Sequence, residues 1–343
     1  MKISLGSKIF TGPWGGGNNF IKNLSEYLRN NDFEVYYDLR EKDLDFILLT
    51  DPRVESESAC FNHIDIFNYI KKINKNAIVI HRVNECDERK KTKGVNNQIV
   101  YANNYTDHTV FISGWLKNLF SHYKDFSKSS VIYNGANKNF FFFGSKRYNS
   151  IEKFRIVTHH WSNHVNKGFK TYKLIDEKLE DEDFKSKIIF TIIGNIPKNI
   201  KFKNIVHLEP LFDLELGNAL RNNHAYITAS LNEPGGNHQN EGINCGLPVL
   251  YRDSGCMKEY CEGFGLEFND DNLFLKIDEL INNYNHFKDK TIAYKLDEKN
   301  TCSNYYNLFK ELKKNKNEIV NQRKWSNIPR LHQFKNYLRR FKI

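Results

Sequence analysis

Short apolar runs without alternation constrain this chain more than any other feature. Phe46-Ile47-Leu48-Leu49, Ala77-Ile78-Val79-Ile80 and Ile188-Ile189-Phe190-Thr191-Ile192-Ile193 are nearly continuous. A strand with one wetted face alternates apolar and polar residues, so an unbroken run implies burial on both faces. Between the runs lie amphipathic helical patterns, such as Phe20, Leu24, Tyr27 and Leu28 on one face. Strands of this kind alternating with helices predict parallel sheets covered on both sides, the α/β class. The 343 residues accommodate two such domains. No run is long enough to span a bilayer. On parallel sheets, ligands bind beyond the carboxyl ends of the strands, so the loops there hold the candidate functional residues.

In chain order, strands are predicted at 3–10, 34–37, 46–49, 77–82, 109–113 and 130–136. Helices are predicted at about 63–74 and through Trp115, Leu116 and Leu119. Between the first strand and first helix stand Gly15, Gly16 and Gly17, which let a ligand approach the backbone closely or serve as a simple turn. His81 and Arg82 end the strand at 77–82 and lead into the polar cluster 84–90, which contains Glu85. That cluster fits an acceptor site, a reach to a phosphate, or a loop with local ion pairs. The stretch 137–153 has no period and reads as a linker. Further strands follow at 154–160, 187–195, 204–211, 226–229 and 249–251, with helices through Tyr172, Leu174 and Ile175, over 213–222, and through Leu273, Ile277, Leu280 and Ile281. The boundaries are a first domain at 1–145, a second at 151–322, and a tail at 323–343.

Residues 226–250 carry the chemistry. Pro234, Gly235 and Gly236 force a loop after a strand. Asn237 and Asn240 fit helix N-caps, and Gly246 fits the position just past a helix end. A glycine loop before a helix start suits a phosphate. Glu233 and Glu241 beside it would repel a phosphate; they suit hydroxyls of a ribose or sugar ring, or else are solvated loop charges. A phosphate site flanked by hydroxyl-binding carboxylates describes a nucleotide-sugar pocket.

Glu233 and Glu241, with seven residues between them, followed by Cys245-Gly246-Leu247-Pro248-Val249, resemble the donor-site motif of retaining GT-B glycosyltransferases of family 4, also called group 1. The resemblance implies two Rossmann-like parallel-sheet domains facing across a cleft. It implies that Glu233 contacts donor-sugar hydroxyls and Glu241 the ribose. Pro234-Gly235-Gly236-Asn237-His238 departs from the family's usual Gly-Phe-Gly. Lys167 before Gly168 matches the lysine that grips the diphosphate, with Asn163 in the same donor loop. Five residues earlier the family has an arginine; here it is Ser162, with His160, His164 or Arg82 as possible substitutes. Gly15, Gly16 and Gly17 resemble the glycine loop that faces the diphosphate. Gly194 and Pro210 end strands that border the base in the family, and Gly235, Gly236 and Asn237 complete the donor site. "Ser-x-Trp-Leu" and "Val-Ile-Tyr-Asn-Gly", at Ser113–Leu116 and Val131–Gly135, resemble the end of the family's first domain.

The expectation is a glycosyltransferase moving a sugar from a nucleoside-diphosphate sugar, UDP- or GDP-linked, to a glycan, polysaccharide or lipid-linked acceptor with retention of configuration. Glu233, Lys167 and His81 are the catalytic candidates; Arg82 and Glu85 are acceptor-side candidates. No cofactor and no metal are expected. The net charge of +10 favours polyanionic partners. A nucleic-acid binder is an alternative that the charge permits and no motif supports. A sugar-nucleotide epimerase of the same fold is another; a phosphorylase lacks a convincing lysine for its cofactor. The six cysteines lack metal-site spacing and read as reduced thiols, consistent with a cytoplasmic protein. No signal-peptide pattern opens the chain. In the tail, Leu331, Phe334, Leu338 and Phe341 fall at helical spacing amid lysines and arginines. That pattern fits an anionic membrane surface, or a last helix packed back on the first domain.

Overall fold

The computed structural model describes residues 1–10, 15–53 and 56–339, and of Lys335 and Arg339 the backbone alone. Residues 11–14 of the predicted glycine loop and 340–343 of the tail, Phe341 among them, lie outside the described residues. The chain forms two compact units. One comprises residues 1–87, 91–133 and 301–343; the other comprises 88–90 and 134–300.

The first unit is built on β1 (Lys2–Leu5), β2 (Glu34–Tyr36), β3 (Phe46–Leu49), β4 (Ile78–Val83), β5 (His108–Phe111) and β6 (Ser129–Val131). They form one sheet in the order β2-β1-β3-β4-β5-β6 with every pair parallel. The unbroken apolar runs now have their reason. Ile3, Leu5, Phe46, Leu48, Ile78 and Ile80 face one layer, with Leu24 and Leu28 of helix Gly16–Arg29. Ile47, Leu49 and Val79 of the same strands face the other, with Ile66, Tyr69 and Ile70 of helix His63–Lys72.

The second unit contains β7 (Phe154–His160), β8 (Ile188–Gly194), β9 (Val206–Leu208), β10 (Ala225–Thr228), β11 (Val249–Arg252) and β12 (Gly265–Phe268). The order is β12-β11-β10-β7-β8-β9, again all parallel. This is the doubly wound order in which the chain reverses direction beside its first strand, here between β7 and β10. A crevice opens at the carboxyl ends of those two strands.

Two differences from the sequence reading have clear causes. The strand predicted at 204–211 shrinks to β9, whose residues are exposed at the sheet edge, because only β8 pairs with it. Residues 301–322, read with the second domain, belong to the first unit. Helix Glu298–Lys314 inserts Cys302, Tyr305, Leu308, Phe309 and Leu312 into the layer that covers β1, β3 and β4.

The segment after that helix is tied down at Arg323. Its Nε and Nη2 donate to both oxygens of Asp107, at 2.9 and 2.6 Å. Nη1 and Nη2 also donate to the carbonyls of Lys75 and Ala77, at 2.6 and 2.7 Å. Asp107 in turn accepts from the Val79 amide. Arginine can satisfy four acceptors at once because its donors form a planar fork.

Candidate functional site

The crevice of the second unit is made by two loops. After β7 the chain runs through Trp161–His164 into a short turn, Val165–Lys167, which ends at Gly168 in a left-handed conformation (φ 92°). A Cβ on Gly168 would lie 2.5 Å from that of Ala229, so the two loops close tightly there. After β10 the chain runs from Ala229 to Asn237. This loop is fixed along its length. Leu231 N donates to Asn166 O at 2.7 Å, Asn232 N to Ser254 Oγ at 2.9 Å, Cys256 N to Glu233 O at 2.8 Å, and Asn134 Nδ2 to Gly235 O at 2.6 Å.

These constraints aim Glu233 at Lys167. The Lys167 ammonium donates to Glu233 Oε2, and Arg89 Nε stands 3.5 Å from Oε1. Glu233 is 3% exposed, so the pair operates with little screening. Burial alone would raise the Glu233 carboxyl; Lys167 and Arg89 outweigh it and hold the group at about 2. Burial also lowers the Lys167 ammonium, which Glu233 partly restores. We take the pair as ionised, because a carboxylate facing two cations gains more than either loses by desolvation. A pocket of about 230 Å³ opens beside them, lined by Arg89, Lys90, Ser162, His164, Asn166, Lys167, Leu231 and Glu233.

Arg89 was not singled out from the sequence, where it was one member of the polar cluster 84–90. Its backbone carbonyl accepts from Asn166 Nδ2 at 2.9 Å, and that of Glu88 from Asn232 Nδ2 at 3.3 Å. It stands in the same pocket as Ser162. Two of the three expected substitutes for the arginine are engaged with other partners. His160 is buried, stacked on Tyr172 and paired with its hydroxyl at 2.8 Å, and burial keeps it far below the usual histidine range. Arg82 belongs to the first unit, with its guanidinium 3.9 Å above the Phe20 ring. His164 does line the pocket, with Nδ1 accepting from Asn166 N at 3.2 Å.

Glu241 lies in the first turn of helix His238–Asn244, and its Oε2 is 2.6 Å from His159 Nε2. His159 Nδ1 is 3.2 Å from the Tyr226 hydroxyl, which fixes the ring. Asn237 occupies the N-cap position, but its side chain caps nothing; Asn240 is inside the helix and bonds Tyr294 and Asn134 instead. Gly246 follows the helix end with φ 84°, as its spacing predicts. Gly236 packs close to Glu233 and His238: a Cβ there would approach the His238 ring to 2.8 Å.

Gly194 ends β8 beside the crevice, at φ 120°, and a Cβ would sit 2.0 Å from His160 O. Gly194→Ala is therefore expected to destabilise the protein by at least about 2 kcal/mol. A thermal melt checks this, and a wild-type melting temperature would refute it. Pro210 lies past the edge strand β9, and Asn163 is exposed in the loop after β7. Neither lines the 230 Å³ pocket.

In the first unit, His81, Arg82 and Glu85 line a separate pocket of about 270 Å³ with Thr50, Asp51 and Arg53. His81 is fully enclosed, and burial lowers it to about 3, so its ring is neutral. Gly16 and Gly17 are the first turn of a helix rather than loop residues, and Gly15 is its N-cap. A Cβ at Gly15 or Gly17 would meet nothing within 4 Å. Among the described residues, no group of three or more His, Cys, Asp or Glu side chains could hold a metal ion.

No protein-family model matches the chain, and no curated protein matches its sequence. Solved structures do match its fold. Sucrose-phosphate synthase from Thermosynechococcus elongatus superposes with a TM-score of 0.69 at 10% identity, covering 91% of this chain and 98% of its own. Anabaena Alr3699/HepE in complex with UDP and glucose gives 0.66 at 13%, covering 91% and 100%. The catalytic domain of starch synthase IV from Arabidopsis thaliana, bound to ADP and acarbose, gives 0.66 at 10%, covering 91% and 99%. The fold is thus the GT-B architecture, with its two six-stranded parallel sheets.

Proposed function

We propose that this chain is a glycosyltransferase of the family 4 type, moving a sugar from a nucleoside-diphosphate sugar to a glycan, polysaccharide or lipid-linked acceptor with retention of configuration. It would work in the cytoplasm, at a membrane surface, without a metal. The observation that carries the reading is the convergence of Lys167 and Arg89 on Glu233 at the reversal point of a nucleotide-binding type of sheet. Two of the similar structures hold a nucleoside diphosphate, UDP in HepE and ADP in starch synthase IV, which supports the same class of ligand here.

The chemistry follows from charge. A donor diphosphate entering the pocket offers Lys167 and Arg89 a stronger partner than one carboxylate. Glu233 then turns from its cations to the donor-sugar hydroxyls, and Glu241 takes those of the ribose. As the glycosidic bond to the diphosphate breaks, negative charge grows on the leaving oxygen, where the two cations already stand. Fixed positive groups that need no reorganisation lower such a barrier most effectively. Arg89 would thus supply the charge that Ser162 lacks. By resemblance, the leaving phosphate rather than a protein base deprotonates the acceptor. Gly15–Gly17, Gly194, Pro210, Asn163 and Gly235–Asn237 would complete the donor site, and His81, Arg82 and Glu85 the acceptor side. The neutral His81 ring suits a hydrogen bond to a hydroxyl.

A thermal-shift screen against UDP, GDP, ADP and their sugars tests this. Binding to the folded state raises the melting temperature by mass action. One nucleoside diphosphate should stabilise the protein, and its sugar should then be transferred with the same anomeric configuration by NMR. No response to any of them would overturn the reading. Free sugar, or an epimerised donor, without an acceptor product would replace it with hydrolysis or epimerisation.

A further inference from the structure

The last described helix, Arg330–Arg339, is mounted in reverse. A surface helix normally turns its apolar side to the protein and its polar side to water. Here the anchoring residue is Asn336, 4% exposed. Its Oδ1 accepts from Asn62 Nδ2 at 2.7 Å, and its Nδ2 donates to Asp65 Oδ1 at 2.8 Å. Asn62 and Asp65 are the capping box of helix His63–Lys72, so the last helix hangs on a rigid polar fixture. Ile328, buried among Ile64, Phe67 and Tyr105, fixes the approach to it.

At 100° per residue, Leu331, Phe334 and Leu338 share the side of the helix opposite Asn336. They are 62%, 58% and 47% exposed, and Tyr337 beside them is 55% exposed. Three large apolar side chains in a row, held outward by a buried polar anchor, form a surface made for contact. The occupant follows from charge. Residues 319–343 contain seven lysines and arginines and no acid. A second copy docking on this face would bring like charges together. An anionic surface with an apolar interior would satisfy both the basic residues and the apolar row.

We propose that this helix docks the protein flat on an anionic lipid bilayer, with Leu331, Phe334 and Leu338 entering the headgroup–acyl boundary and the basic sequence of 324–342 supplying the attraction to lipid phosphates. This rests on the membrane location in the function proposed above and names its face and lipid; it does not depend on the donor chemistry.

The test is co-sedimentation of the full chain with vesicles of neutral phosphatidylcholine, with and without about a third phosphatidylglycerol. Binding is expected to be at least about tenfold stronger with the anionic lipid and to weaken in high salt. Phe334→Ser/Leu338→Ser should lose most of it while the melting temperature and the response to the nucleoside diphosphate stay unchanged. Equal or absent binding to both vesicles would overturn the proposal. A lowered melting temperature in the double variant would mean the face is packed in solution. A wild-type dimer that the variant dissolves would mean a second copy is the occupant. Failure of the nucleotide response in wild-type protein would instead sink the donor reading and leave this one standing.

Discussion

Glu233→Gln is expected to lower sugar transfer about 100-fold or more while the free nucleoside diphosphate binds as well as before or better. The loss is the usual size for one interaction made at the transition state. The retained or improved diphosphate affinity is the distinctive part. Glu233 pairs with Lys167 and Arg89, so it competes with a diphosphate for both cations. A neutral amide of the same shape removes that competitor but leaves no carboxylate for the sugar. Calorimetric titration with the nucleoside diphosphate, beside transfer rates, separates the two effects. Equal loss of both would mean that Glu233 only props up the pocket. Transfer at the wild-type rate would remove it from the site altogether. The charge also sets a pH expectation. A carboxyl held at about 2 contributes stability that is fully present above its ordinary value near 4.5 and disappears as pH falls toward 2. Any acid limb above about pH 5 in kcat/KM, which reports the free protein, must come from another group, and in Glu233→Gln that limb should persist.

Arg323→Ala is expected to be the most destabilising single change outside the site, by about 3–5 kcal/mol. The argument is one of orphaned acceptors. Arg323 and Asp107 have side chains 8% and 4% exposed. Without the guanidinium, a buried carboxylate keeps only the Val79 amide as donor and loses its counter-charge, and the carbonyls of Lys75 and Ala77 lose the Arg323 donors. For a unit of this size the melting temperature should fall by about 6–20 °C. Adding Asp107→Leu should recover part of that fall, because the stranded charge is then gone. A single variant that melts with the wild type would mean that water reaches Asp107 in solution.

The alternation of buried strands and helices was legible because it is a local signal. Each run in β3, β4 and β8 is long enough to show that both its faces are covered. The meeting of Lys167 and Glu233 was within reach of the sequence because both stand in loops that follow apolar strand runs, with Glu241 in the helix just beyond. Arg89 was not, because its partner Glu233 is 144 residues away and nothing local distinguishes it from Lys90 or Arg82. Helix Glu298–Lys314 was missed for another reason. Its residues 302, 305, 308, 309 and 312 keep helical spacing, but no period tells which core they enter. The reversed tail helix defeats pattern reading altogether, since an apolar stripe looks the same whether it faces in or out.

The route of the chain through the first unit also bears on the order in which the protein matures at the ribosome. Ile3, Leu5, Phe46, Leu48, Ile78 and Ile80 emerge early, yet part of the layer covering them comes from residues 302–312. At ordinary translation speed that lid arrives on the order of ten seconds after β6 has been made. The second unit, apart from residues 88–90, is one continuous stretch and needs no such wait. Synthesis therefore leaves the first sheet with a greasy side only partly covered, by helix Gly16–Arg29, while the second folds behind it. A nascent chain stalled before residue 301 should be a chaperone client, and one that extends past Arg323 should not.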